Sequence, residues 1–396
     1  MTTDTYSVSY ITNTMRGAPV INGNTPGCLL AVLDALLING WGLAAASTLV
    51  VAGGIATATF ASGTPWEVGA VIDVSGATPA TINGRARVLA SSGNILTFAT
   101  SAGDGSYSGS IGIKYASAGW EKPFTGTNKA VYRSTDVTGA RFYLRVDDSN
   151  NVFTRVRGFE SMSDVDTGSG PFPLDAQMTG GGYWHKAVSA NATAIPYLLA
   201  ADAKLLLQAI CHGVSSSTEN TITAVYGFGE GPPINPAGDA FATVLSAAGS
   251  TGNSPNYGAL SGATNDGSTQ GGAWFARGWQ GLGSAVYARP VPESGSTSAL
   301  SGNDSTLGYG PGRVDGAVKM ARMLLKEQGN PGELRSIVPG CCFVPQALDN
   351  SLFATSFALT EGAGDLAGRR LAAVFTGASY SVRSGTAFVD VTGPWR

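Results

Sequence analysis

Charge is what this chain has least of. Of 396 residues, 24 are Lys or Arg and 27 are Asp or Glu, 13% in all, where a free soluble domain carries roughly 25%. Its surface is therefore built largely of Ser, Thr, Asn, Gly and Ala, or is covered by other chains. A net charge of −3 and an isoelectric point near 5.5 offer phosphate no long-range attraction, so no nucleic-acid partner is expected. Histidine is scarcer still, with only His185 and His212. A Ser-His-Asp hydrolase would have to use one of them, yet there is no G-x-S-x-G elbow, no HExxH, no phosphate-binding Walker loop and no GxGxxG opening a helix. Gly362 to Gly368 (GAGDLAG) has the glycines of a dinucleotide loop at the wrong spacing. Neither an enzymatic activity nor a cofactor is read here.

The cysteines, Cys28, Cys211, Cys341 and Cys342, lack CxxC spacing and are too few for a disulfide scaffold, so they read as ordinary reduced thiols. Adjacent Cys341 and Cys342 should face opposite sides of a strand. The longest apolar runs, Cys28 to Ile38 and Leu43 to Phe60, are interrupted by Asp34, Gly53 and Gly54 and fall short of the roughly 20 residues of a membrane span. No membrane partner is expected. The opening MTTDTYSVSY shows no basic segment leading an apolar core, so export by a secretory signal is not expected either.

In abundance are 55 glycines and 19 prolines, the residues of turns between short strands. The fold class read from this is mainly β, with sandwich-like or barrel-like modules, one N-terminal helix and long ordered loops. Residues 1–45 form an arm and the helix. Leu29, Val32, Leu33, Leu36 and Leu37 recur at helical spacing over Pro26 to Ile38, with Thr25 as cap, Pro26 in the first turn and Asn39-Gly40 as stop. The apolar face of this helix should pack on a sheet. Residues 46–115 carry five or six short strands, a small sandwich or barrel that is a candidate for insertion into a larger scaffold. Residues 116–245 form a central β scaffold, with a hairpin turning at Ala201-Asp202-Ala203 preferred to a helix over Leu198 to Ile210, whose Ala, Leu and Lys also suit one, and a strand over Thr221 to Phe228. Residues 246–313 are loop-rich and held by aromatic anchors, and residues 314–396 supply strands over Leu334 to Phe343, Arg369 to Phe375 and Thr386 to Val391.

The chain's centre runs from Ala116 to Pro173. In RFYLRVDDSNNVFTRVRGFE (Arg141 to Glu160), alternation puts Phe142, Leu144, Val146, Val152, Thr154 and Val156 on one face. Arg141, Tyr143, Arg145, Phe153, Arg155 and Arg157 fall on the other. Asp147, Asp148, Glu160, Asp164 and Asp166 lie near enough in sequence to pair those guanidinium groups, within the fold or across a subunit boundary. Asp164 and Asp166 come closest to a calcium loop, but Ser169 stands where the bend needs Gly and Asp175 where Glu is needed. Asp side chains capping their own loop amides is the better reading. Trp184, Trp274, Trp279 and Tyr287 lie in polar surroundings and suit stacking on sugars, while the terminal Trp395 reads as docked.

At AGWEKPFTGTNKAVYRS, FYLRVDD, VRGFESMSDVDTGSGPFP and the closing VDVTGPW, and again over GAPVINGNTPGCLLAVLDALLINGWG and VIDVSGATPATINGRARVLASSGNILTF, the chain resembles a family of uncharacterised virion structural proteins of tailed bacteriophages and prophages. The resemblance implies presence in the particle, in its tail or baseplate, and brings no catalytic residues. The expectation is a non-enzymatic subunit of the tail tip, baseplate or connector, made in the bacterial cytoplasm. Its partners would be further copies of itself and other virion proteins. Candidate contact residues are Trp120, Arg141, Arg145, Arg155, Arg157, Asp164, Asp166, Trp274, Trp279 and Trp395. Three alternatives stand beside it: a module binding a host-surface glycan or receptor, a capsid decoration or minor head protein, and a virion hydrolase drawing on the central carboxylates.

Overall fold

A computed structural model describes residues 7–64, 66–214, 221–249, 259–261, 271–294, 307–328, 332–349, 352–353, 355–377, 383 and 385–396. Of the loop-rich segment expected over residues 246–313, residues 250–258, 262–270 and 295–306 lie outside the described residues. The rest is mainly β. In chain order come β1 (Ser9–Thr12), a helix, β2 (Trp41–Ala52), β3 (Ile55–Phe60), β4 (Val71–Thr78), β5 (Gly84–Ser92), β6 (Ile95–Ala99), β7 (Gly105–Tyr115), β8 (Glu121–Gly126) and β9 (Lys129–Arg133). Then follow β10 (Tyr143–Asp147), β11 (Phe153–Met162), β12 (Gly168–Phe172), β13 (Gly182–His185), β14 (Tyr197–Ala201), β15 (Leu205–Ile210), β16 (Tyr226–Gly229), β17 (Val244–Ala248), β18 (Gly271–Phe275) and β19 (Val286–Pro292). The last are β20 (Tyr309–Gly310), β21 (Ala321–Glu327), β22 (Leu334–Phe343), β23 (Ala347–Leu348), β24 (Leu359–Glu361), β25 (Arg370–Thr376) and β26 (Gly385–Asp390).

The helix forms where the 3.6-residue pattern places it, but it begins later and changes pitch. It is α-helical over Cys28–Leu33 and continues as a π-turn over Asp34–Asn39. Thr25 does not cap it with its side chain. The first amides are taken instead by a carboxylate 119 residues away, Leu29 N–H donating to Asp148 Oδ2 at 2.8 Å. The stop is as expected: Gly40 has φ 69°, and a Cβ there would lie 2.2 Å from the Tyr115 carbonyl oxygen, so only glycine lets the two segments approach so closely. Leu29, Val32, Leu33, Leu36 and Leu37 are all buried, and the π-turn packs on β1, β8 and β14.

Strands β2 to β7 close into a barrel in the order β2-β3-β6-β5-β4-β7. Alternate residues fill it, among them Leu49, Val51, Ala56, Ala58, Phe60, Ile72, Val74, Leu96, Phe98 and Ile113, so it is a packed core and not a pore. Entry and exit sit side by side. Trp41 pairs with Tyr115 and their rings stack at 4.7 Å. The returning chain then donates from Ala118 and Trp120 to the Leu36 and Leu37 carbonyls at the helix end. A module entered and left at neighbouring points is an insertion in the connectivity of the larger sheet.

That sheet is antiparallel throughout, and two of its strands each serve two neighbours along one edge. One run is β8-β9-β10-β11, with β12 on the C-terminal half of β11 and β13 on its N-terminal half. The other run is β1-β14-β15-β16-β17-β18-β19-β21-β22-β26-β25-β24. A pairing of Tyr183 with Ala248 joins the two through β13 and β17. The hairpin over residues 197–210 turns at Asp202 as read. Of Thr221 to Phe228, only the part from Tyr226 is strand, although Ile222 to Val225 is buried. All four thiols are free; Cys341 is buried and Cys342 half-buried, and they join different apolar clusters as strand alternation requires. No helix among the described residues is long and apolar enough to cross a membrane.

Candidate functional site

The outer face of the β9-β10-β11 run holds a dense set of charged side chains. Register sets Arg145 directly opposite Arg157 and Asp147 opposite Arg155, while Leu144, Val146, Thr154 and Val156 point into the core. Two arginines facing each other repel unless each has its own counter-charge. Arg145 binds Asp147 at 3.3 Å and also Asp166, and its Nε donates to the Val165 carbonyl at 2.9 Å. Arg157 binds Asp175 at 3.1 Å and the Pro173 carbonyl at 3.0 Å. Arg155 makes no close ion pair among the described residues; it lies 3.9 Å from the centre of the Tyr183 ring and donates to the Thr179 and Gly181 carbonyls. Arg141 is not on the strand, because it precedes it with φ 56°. From there it reaches sideways to Glu121 at 2.7 Å and the Ser134 carbonyl at 3.1 Å.

The Asp-rich loop lies over this face. Asp164 accepts from the Asp166 and Thr167 amides at 2.7 and 2.8 Å, which holds its carboxyl below the usual range. The hydrogen bonds of Arg145 and Lys129 do the same for Asp166. Between them Val165 packs on a small second core of Val131, Phe159 and Met162. The loop is thus an apolar lid pinned by ion pairs. Asp164 takes both amides on one oxygen while Asp166 gives both of its own to cations, and no group of three His, Cys, Asp or Glu poised for a metal occurs among the described residues.

Two of the carboxylates expected on this face lie elsewhere. Asp148 follows the last residue of β10 and so turns inward, where it meets Lys186. Glu160 grips Arg277 with both oxygens at 2.6 and 2.8 Å. The second case leads to a network that residue spacing did not suggest. Arg335 is fully buried: it binds both oxygens of Asp239 at 2.6 and 2.8 Å, Glu327 at 2.9 Å and the Arg277 carbonyl at 2.6 Å. It also lies over the Phe275 ring at 4.3 Å. Glu327 accepts in turn from the Trp279 amide at 2.6 Å. Partners 96 and 58 residues apart leave no local pattern. The only hint is an arginine within the apolar run of β22.

The candidate aromatics divide. Trp120, Trp184, Trp274 and Trp395 are buried within this chain, and three of their indole N–H groups end on backbone carbonyls of Asp202, Ser246 and Asp390. Sugar stacking on Trp184 and Trp274 is therefore corrected: both are core anchors, as the docked reading of Trp395 anticipated for that residue. Tyr287 is half-buried. Trp279 alone among the seven tryptophans is substantially exposed, at 47%, on the loop that the Arg335 network pins. A scan against protein-family models finds no match to this chain, and a search of the curated proteins finds none either.

Proposed function

We propose that this chain is a non-enzymatic structural subunit of a tailed-phage particle, placed in the tail tip, baseplate or connector and working by symmetric assembly of repeated copies. The observation carrying this reading is where the charge goes. Most of the 24 Lys and Arg residues are consumed in ion pairs inside the chain, from Lys122–Asp34 and Arg145–Asp166 to Arg335–Asp239, Arg369–Asp390 and Arg396–Asp202. The remaining surface is poor in charge and includes largely exposed Leu43, Val137, Leu282, Tyr309 and Val314. Symmetric assembly lets a chain bury such low-charge surface against further copies of itself.

The mechanism is mechanical. Antiparallel ladders and internal ion pairs fix the loops, and the low-charge faces bury against other subunits. Mass spectrometry of purified particles tests the reading: the chain is expected at a stoichiometry that fits a ring or trimer. A second reading, attachment to a host-surface glycan, is favoured only by Trp279, whose exposed indole is rigidly presented. A glycan array that gives signal with the parent chain and none with Trp279→Ala would support it.

A further inference from the structure

We propose that one wall of the barrel, formed by β2, β3, β6 and the second half of β5, is the face through which two copies of this chain meet. The proposal rests on the homo-oligomeric part of the function proposed above and names its surface. Residues 35–66 and 88–103 contain no Asp, Glu, Lys, Arg or His, and these stretches supply that wall. Register aligns Val50, Thr57, Thr97 and Ala90 in one outward row across it. The flanking rows carry Ile55 and Ile95, 39% and 48% exposed.

The opposite wall is built differently. There Asp73 stands between Arg85 and Lys114 in register. The charged side chains on that side tie the barrel to the rest of the molecule, Lys114 donating to the Asn39 carbonyl at 2.6 Å and Arg87 to the Thr392 carbonyl at 3.0 Å. In the closed strand order β3 lies opposite β4, and β6 opposite β7. The β3–β6 part of the charge-free wall thus lies across the barrel from the strands that are tied to the body.

A charged partner laid on this wall would lose water from its ions and gain no counter-charge. The same wall of a second copy brings no ion to its centre, the nearby Asp104 carboxylate sitting at the rim where it accepts from the Gly53 amide at 3.0 Å, and β-branched side chains from two sheet faces interdigitate well. Strand spacing and rise give a flat area on the order of 300 Å² per copy, against the roughly 800 Å² per partner of a stable complex. The contact is therefore weak in isolation and strengthened by other contacts in an assembly.

Sedimentation velocity of the full chain from about 1 to about 300 µM reads this directly. The parent is expected to gain mass with concentration. Thr57→Lys and Thr97→Glu should each weaken association by about tenfold or more, since like charges then meet at the centre. An equimolar mixture of the two should recover it, because lysine of one copy faces glutamate of the other; a misfolded variant could not be rescued by mixing. A parent that stays monomeric throughout, association unchanged in both variants, or a mixture that fails to recover would each overturn the proposal. The particle measurement is independent of all of these results, so the two readings fail separately.

Discussion

Asp148 and Lys186 form an ion pair in which neither side chain has any exposed surface. The carboxylate also accepts from the Leu29 amide at 2.8 Å and the Thr154 hydroxyl at 2.7 Å, and the ammonium donates to the Asn150 carbonyl at 2.7 Å. Burial pushes the Asp148 carboxyl up, against the pull of Lys186 and its hydrogen-bond donors. One residue thus caps the helix, ends β10 and neutralises a buried lysine, tying the N-terminal segment to the central hairpin.

Removing one member of such a pair costs more than removing both. Asp148→Ala should destabilise by about 3–5 kcal/mol, because it leaves a buried ammonium unpaired and the helix amides uncapped. Lys186→Met should rescue part of that loss in the double variant. Urea unfolding of the four species checks it, and strictly additive effects would contradict the coupling.

The Arg335 network makes a similar prediction elsewhere in the sheet. Arg335→Lys keeps the charge but cannot hold Asp239 with two parallel bonds while reaching Glu327 and the Arg277 carbonyl. A loss of roughly 2–4 kcal/mol is expected. It should come with faster proteolysis near Trp279, whose amide shares Glu327. Unchanged stability and unchanged cleavage would count against the network's role.

His212 sets a pH dependence. Burial, with His185 beside it at 5.0 Å between ring centroids, holds its imidazole down to about 3, whereas an unfolded histidine titrates near about 6.5. Between those values the unfolded chain binds a proton that the folded chain refuses. Stability therefore falls as pH drops from 6.5 and levels off near 3. His212→Leu should show a shallower fall over this range in denaturant titrations. Equal slopes in parent and variant would contradict a neutral buried imidazole.

Fluorescence reads the distribution of tryptophans. Six of the seven are buried and Trp279 is exposed, so Trp279→Phe should shift emission to shorter wavelength and remove most of the quenching by acrylamide. An unchanged quenching curve would mean that another indole is open to solvent.

The β character, the helix, the barrel and the 197–210 hairpin were legible because each rests on local alternation or turn chemistry. Leu144 and Val146 against Arg145 is a pattern of period two that burial reproduces residue by residue. What failed was non-local. Asp148 differs from Asp147 only by the one-residue step that turns it inward, and its partners Leu29 and Lys186 are remote in sequence. Arg335 finds Asp239, 96 residues away, only through the tertiary fold. Trp184 and Trp274 sit among Gly and Ser, which suggested exposed loops, yet those small residues let neighbouring strands close over the rings. A Cβ at Gly182 would lie 2.3 Å from the Cβ of Ala247.

The most direct measurement is quantitative mass spectrometry of phage particles purified from a host that carries this sequence. A structural subunit is expected at a fixed multiple of three or six relative to a single-copy tail component, and it should survive a salt wash that removes loosely bound protein. Its absence from the particles, or an amount that varies between preparations, would contradict the proposed role.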